Sequence, residues 1–164
     1  MPDPTNIIQD LKPLWSVVEY IGLARERQKR GMTSSNLWRG DKSTHVIGVA
    51  GELLSAITLK LPFDAELSIK GDGGYDLVRE NGSKIDIKTV SHWSPILKHP
   101  VSAKFWPDEF GLVYVDENKQ MGILIGIITK EVFLGSADQH RFRSDGPLNW
   151  TLSRESLLSA ICQS

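Results

Sequence analysis

Apolar and polar positions change their period partway along the chain. Residues 14–30 (LWSVVEYIGLARERQKR) place Leu14, Val17, Val18, Ile21 and Leu23 along one side, the spacing of an amphipathic helix, and Gly31 sits where a C-terminal cap belongs. A polar stretch then runs to Lys42. A second helix is predicted over 45–61 (HVIGVAGELLSAITLKL), with Ser43 or Thr44 as its N-cap and Pro62 just beyond its end. Its apolar residues Val46, Ile47, Val49, Ala50, Leu53, Leu54 and Ile57 cover most of the circumference, so it should be buried. One strip differs: His45, Gly48, Glu52 and Ser55 are small or polar and follow helical spacing. A carboxylate midway along a buried helix is costly unless something pairs with it.

From residue 66 the pattern alternates. ELSIK (66–70), YDLV (75–78) and KIDIKTV (84–90) read as strands, separated by the loop 71–74 and by a turn carrying Asn81-Gly82. A connection bearing Trp and Pro (91–110) leads to GLVYVD (111–116) and GILIGII (122–128), joined by polar residues 117–120. Thr129 is placed to cap a short helical turn, KEVF, and Ser153 to cap a final helix over 154–161. Helices and strands in this order predict an α/β domain with helices packed on a mixed sheet. Neither repeats nor linkers divide it.

Composition narrows the class. With 164 residues, 40% of them hydrophobic, the chain has one domain's length and enough apolar residues for a core. Its longest apolar run, 122–128, is strand-sized, far short of the roughly 18–20 residues of a membrane span. The start, MPDPTNIIQDLKP, does not have the pattern of a secretory signal, and the lone Cys162 excludes an internal disulfide framework. A cytoplasmic protein is expected (the host cytoplasm, if phage-encoded), without membrane association. Charge is uneven. Arg25, Arg27, Lys29, Arg30, Arg39 and Lys42 face only Glu26 and Asp41, a local net of +4 against −5 for the rest. Such a block suits a phosphate backbone.

The candidate chemistry lies in the strands. Asp86 and Lys88, two apart, project to one face while Ile85 and Ile87 face the other. Whether Asp76 joins them depends on the hairpin. A two-residue Asn81-Gly82 loop would set Asp76 against Ile87 and put the aspartates on opposite faces. A three-residue loop (Glu80, Asn81, Gly82) with Gly82 left-handed would set Asp76 across from Asp86, and this is the register a site requires. Two carboxylates so placed repel, which a cation relieves. Asp76, Asp86, the Ile87 backbone carbonyl and water make an all-oxygen site suited to Mg²⁺ or Mn²⁺, to which Glu52 could add a ligand. Lys88 beside the cation would orient an attacking water. Of the histidines, His92 lies nearest the exit of this strand; His99 and His140 have no partner in view. His140 to Arg143 (HRFR) form a small basic-aromatic patch, and Trp38, Trp93, Trp106 and Trp150 fall in loops. The GxGG at 71–74 is not followed by a helix, which excludes a dinucleotide fingerprint.

Gly48 to Glu52 (G-x-x-G-E), GDGGYDL around Asp76 and DIK at 86–88 together resemble the PD-(D/E)xK, or restriction-endonuclease-like, nuclease superfamily, most of all its small phage and prokaryotic members. The resemblance covers roughly residues 44–90 by motif. It implies a mixed central sheet of about five strands flanked by helices and a Mg²⁺-dependent phosphodiesterase acting on DNA. Asp76 and Asp86 would be metal ligands, Glu52 an accessory ligand and Lys88 the catalytic lysine. On that reading residues 1–164 form a single nuclease-like domain: an N-terminal helix and basic segment (1–42), a catalytic core (43–133) and a C-terminal loop and helix (134–164). A homodimer or larger ring is the assembly such a nuclease would use to cut both strands. Two departures stand out: Tyr75 rather than proline precedes Asp76, and 91–110, with Pro95, Pro100 and Pro107, does not read as the helix expected between the third and fourth core strands. The alternative function is a noncatalytic nucleic-acid- or protein-binding module on the same scaffold.

Overall fold

The computed structural model describes residues 8–31, 42–63, 74–92 and 94–163, and their side chains apart from 28–31 and 42–44. The predicted strand 66–70, Asp72, Trp38, Arg39 and Trp93 lie outside the described residues. Strand β1 (Ile8–Asp10) and a single 3₁₀ turn lead into α1 (Trp15–Gly31) and α2 (Lys42–Leu59). Then come β2 (Leu77–Val78), β3 (Lys84–Val90), β4 (Ile96–Pro100), β5 (Glu109–Asp116), β6 (Met121–Thr129) and α3 (Lys130–Ser136). Strands β7 (Asp138–Arg141) and β8 (Leu148–Ser153) precede the last helix, α4 (Arg154–Gln163). No helix among the described residues is long and apolar enough to cross a membrane.

The main sheet has five strands in the order β1-β6-β5-β3-β2. It is mixed: β3 and β5 run parallel, and the other neighbours are antiparallel. Alternation gives it two apolar faces. Ile85, Ile87, Val113 and Val115 pack with Val18 and Ile21 of α1 and with Val46, Val49, Ala50 and Leu54 of α2. On the other face Phe110, Leu112, Ile125 and Ile128 pack with Leu97 of β4, Leu152 of β8, Phe133 of α3 and Leu157 of α4. Continuous apolar runs such as GILIGII follow from this two-sided burial. A bulge at the Leu112/Val113 step of the β5–β6 ladder shifts the register, so Leu112 faces Gly126 while Val113 faces Leu124.

Helix α2 starts at Lys42, ahead of the predicted position, so Ser43 and Thr44 lie within it rather than at a cap. Its end is closed by Lys60 in the left-handed region (φ 57°), with the Leu61 N–H donating to the Ala56 carbonyl. The two other predicted caps hold. Thr129 Oγ1 accepts from Val132 N–H at 3.4 Å, and Ser153 Oγ from Ser156 N–H at 3.2 Å. The 91–110 connection contains β4, and the region expected to be a C-terminal loop contains β7 and β8. These three strands form a second sheet in the order β4-β8-β7. Pro100 is tolerated because β4 is an edge strand of that sheet.

Candidate functional site

The site begins with a turn. The Gly82 N–H donates to the Arg79 carbonyl and the Arg79 N–H to the Ser83 carbonyl, each at 2.9 Å. Gly82 adopts φ 89°, a conformation that favours glycine, and Asn81 Oδ1 accepts from the Ser83 N–H at 3.0 Å. The loop is therefore the three-residue one. The register that follows sets Leu77 opposite Ile85 and Val78 opposite Lys84, and there the ladder ends.

Asp76 anchors the open edge of β3. Its N–H donates to the Ile85 carbonyl at 2.8 Å and its Oδ2 accepts from the Ile87 N–H at 2.5 Å. Because β2 is only two residues long, the Ile87 amide has no ladder partner from β2, and the carboxylate takes that role. The contact with Asp76 uses the Ile87 amide and does not involve its carbonyl, the group expected as a metal ligand.

Asp86 is 6% exposed, on the face shared with Phe110 and Leu112. Lys88 Nζ donates to Asp86 Oδ1 at 2.8 Å and lies at the same distance from Oδ2. Oδ2 nevertheless completes no hydrogen bond. Lys88 is the more open partner, its side chain 37% exposed. Parallel pairing with β5 is clamped where β3 begins: Arg79 holds Glu109 through two bonds of 2.6 and 2.7 Å, and Asp108 Oδ2 accepts from the Lys84 N–H at 2.8 Å. Those bonds raise the Arg79 pKa above its ordinary value, against the opposing effect of burial.

A fourth residue joins from β4. His99, 6% exposed, brings Nδ1 to 4.0 Å from Asp86 Oδ2. Its ring lies 4.4 Å from Trp106 and 5.1 Å from Phe110, centroid to centroid, and Lys130 Nζ sits over the Trp106 ring. Neither ring nitrogen completes a hydrogen bond. Burial pulls the imidazole below its ordinary pKa; Asp86 opposes this, Lys88 adds to it and the Phe105 backbone opposes it weakly. His99 is therefore neutral near pH 7. On sequence alone it has no partner, because 91–110 reads as a connection; the signal that would have found it is the Leu97–His99 alternation in a short strand. His92, the histidine nearest the strand's exit, is exposed.

Glu52 is not brought to this cluster. It sits on α2, which packs behind the opposite face, and it accepts from Arg25 Nη1 of α1 at 2.7 Å. Among the described residues no three His, Cys, Asp or Glu side chains form a group able to hold a metal ion. Glu52, Asp76 and Asp86 therefore form no such group, and the buried helix meets its need for a counter-charge with Arg25. Arg25 is accordingly tied into the helix pair, while Arg27 is exposed. Arg39 and the side chains of Lys29, Arg30 and Lys42 lie outside the described residues.

The chain matches no protein-family model, and no curated protein is significantly similar to it.

The lowered His99 pKa makes folding depend on pH. An unfolded histidine titrates near 6.5, so below that value the unfolded chain binds a proton that the folded one resists, and stability falls as pH drops. Melting temperature should be flat above about pH 7 and decline toward pH 5.5. In His99→Gln that decline should be shallower. Parallel curves for the two proteins would contradict this.

Proposed function

We propose that the chain is a Mg²⁺- or Mn²⁺-dependent nuclease that hydrolyses DNA phosphodiester bonds, on a restriction-endonuclease-like core. The observation that carries the reading is the three-residue hairpin loop followed by Asp76 bonded to the backbone of Ile85 and Ile87, the two neighbours of Asp86, with Lys88 paired to Asp86. An acidic hairpin joined to a parallel strand within a mixed five-stranded sheet, with a helix packed behind it, supports the same reading. The donor set is of the kind a hard cation takes: a buried carboxylate oxygen of Asp86 that completes no hydrogen bond, and the Asp76 carboxylate on the amide of the next residue, Ile87. Asp86 and Asp76 would hold the ion, with water completing its shell. A divalent ion so held would polarise the phosphate and lower the pKa of the attacking water.

The side chains have distinct roles in this scheme. Lys88, half-open to solvent, offers its ammonium to the phosphate oxygen on which charge develops. Asp76 keeps the β3 edge in place by accepting from Ile87. The exposed Arg27, with the neighbouring basic residues of 25–42, supplies the charge that would attract the DNA backbone.

Purified protein should degrade DNA when Mg²⁺ or Mn²⁺ is supplied and stop when EDTA is added. A panel of single-stranded, duplex, nicked and branched DNA would show which form is cut. Failure to cut any of them with either ion would remove the proposal. One observation favours a second reading: no third carboxylate stands beside Asp76 and Asp86 among the described residues, and Lys88 already balances Asp86. A noncatalytic binding module would retain DNA in a mobility-shift assay and leave it intact with every ion.

A further inference from the structure

Beyond the two aspartates, two buried side chains face each other with unmet polar atoms. Asp86 and His99 are each 6% exposed. Asp86 Oδ2 and His99 Nδ1 stand 4.0 Å apart, too far to bond one another, and neither completes a hydrogen bond; the ion pair with Lys88 Nζ, 2.8 Å from Oδ2, is what that oxygen has instead. Buried polar atoms are rarely left so, and a facing pair marks a place where something else binds. The chemistry of the pair is specific: one anionic oxygen and one imidazole nitrogen, with the ring wedged by Trp106 and Phe110. Metal–oxygen and metal–imidazole bonds of about 2.0–2.2 Å let a single ion reach both atoms across such a gap.

We propose that His99 and Asp86 jointly ligate a divalent ion, so that the site prefers imidazole-binding ions such as Co²⁺ and Ni²⁺ to Mg²⁺. The inference rests on the metal-dependent reading above and adds a nitrogen ligand to it. Oxygen-only sites suit Mg²⁺; a nitrogen donor raises affinity for later first-row ions and does little for Mg²⁺. Lys88 is the competitor. Its ammonium occupies Asp86 at 2.8 Å, so an ion must displace it from at least one oxygen. Removing that ammonium should therefore tighten metal binding, the reverse of the result for a lysine that merely supports the fold.

The test is calorimetric titration of the full chain with Co²⁺ and with Mg²⁺, in the absence of DNA. His99→Gln should bind Co²⁺ about tenfold or more weakly, with Mg²⁺ changed less than about threefold. Lys88→Met should bind Co²⁺ more tightly than the unaltered protein. Spin-echo modulation of the Cu²⁺-loaded chain should show an imidazole nitrogen in a His92→Gln/His140→Gln background, whose two exposed histidines are removed, and lose it on adding His99→Gln. Loss of ion binding in Asp86→Asn with unchanged Co²⁺ binding in His99→Gln would overturn the nitrogen ligand and leave the aspartate site standing. Full binding of both ions in Asp86→Asn would instead overturn the metal-site reading itself.

Discussion

Asp86→Asn and Lys88→Met are each expected to lower metal-dependent DNA cleavage by about 10²–10³-fold or more, in proteins that still fold. Asparagine keeps the shape of the buried side chain and removes its charge. The Lys88 it leaves behind is 37% exposed and can turn to water, so the loss should fall on activity rather than stability. Methionine keeps the apolar stem of Lys88 and removes the ammonium. The cost there is a buried carboxylate without its counter-ion, a penalty of a few kcal/mol at most once solvent reaches the pair through the vacated space. Far-ultraviolet circular dichroism and a thermal melt would establish that both variants are folded. The two should then part company in ion binding: Asp86→Asn loses cleavage because it loses the ion, and Lys88→Met loses it while holding the ion more firmly. Cleavage within about threefold of the unaltered protein in both variants would end the assignment of these residues to catalysis.

Much of this arrangement is legible in the residues, and the parts that are not have a physical reason. The three-residue turn follows from a glycine able to adopt positive φ at position 82, between two alternating segments. The core strands of the main sheet follow from alternation and from the apolar run at 122–128. What escapes is whatever depends on partners distant in sequence. Strand β4 is flanked by Pro95 and ends on Pro100, so it reads as a connection; it becomes a strand only because β8, about fifty residues later, pairs with it. Every residue of β7 is exposed, so its segment carries no hydrophobic alternation to read. His99 is invisible for the same reason as β4. Glu52 shows the converse limit. Its position on a buried helix correctly signals a need for a counter-charge, but pattern alone does not say whether an ion or Arg25 supplies it.

The glycines of the G-x-x-G-E segment are expected to behave oppositely, Gly51→Val lowering stability sharply and Gly48→Ala raising it. Gly51 is where α2 rests on β3. A β-carbon there would overlap the Thr89 hydroxyl and come within 2.8 Å of Thr89 Cβ and Cγ2. Thr89 is β-branched and stiff, and so has little freedom to swing aside. Overpacking of this kind costs about 1–3 kcal/mol for the first added carbon, and valine adds more. For a chain of this size that corresponds to a fall in melting temperature of roughly 4–10 °C. At Gly48, one turn earlier, nothing lies within 4 Å of an added β-carbon. Alanine there restricts only the unfolded chain and should stabilise by about 0.5–1 kcal/mol. A double variant, Gly51→Ala with Thr89→Gly, should lose less than the sum of the two single variants, since the contact is mutual and glycine removes every Thr89 atom that the added carbon meets. If Gly51→Ala melts within about a degree of the unaltered chain, the helix does not rest on that strand as closely as the coordinates require. Thr89 follows Lys88 directly, so the depth at which α2 seats here also sets where the strand presents its lysine. The second glycine of the segment thus acts through packing, and its neighbour Glu52 is held by Arg25, while Asp86, Lys88 and His99 lie on the other side of the sheet.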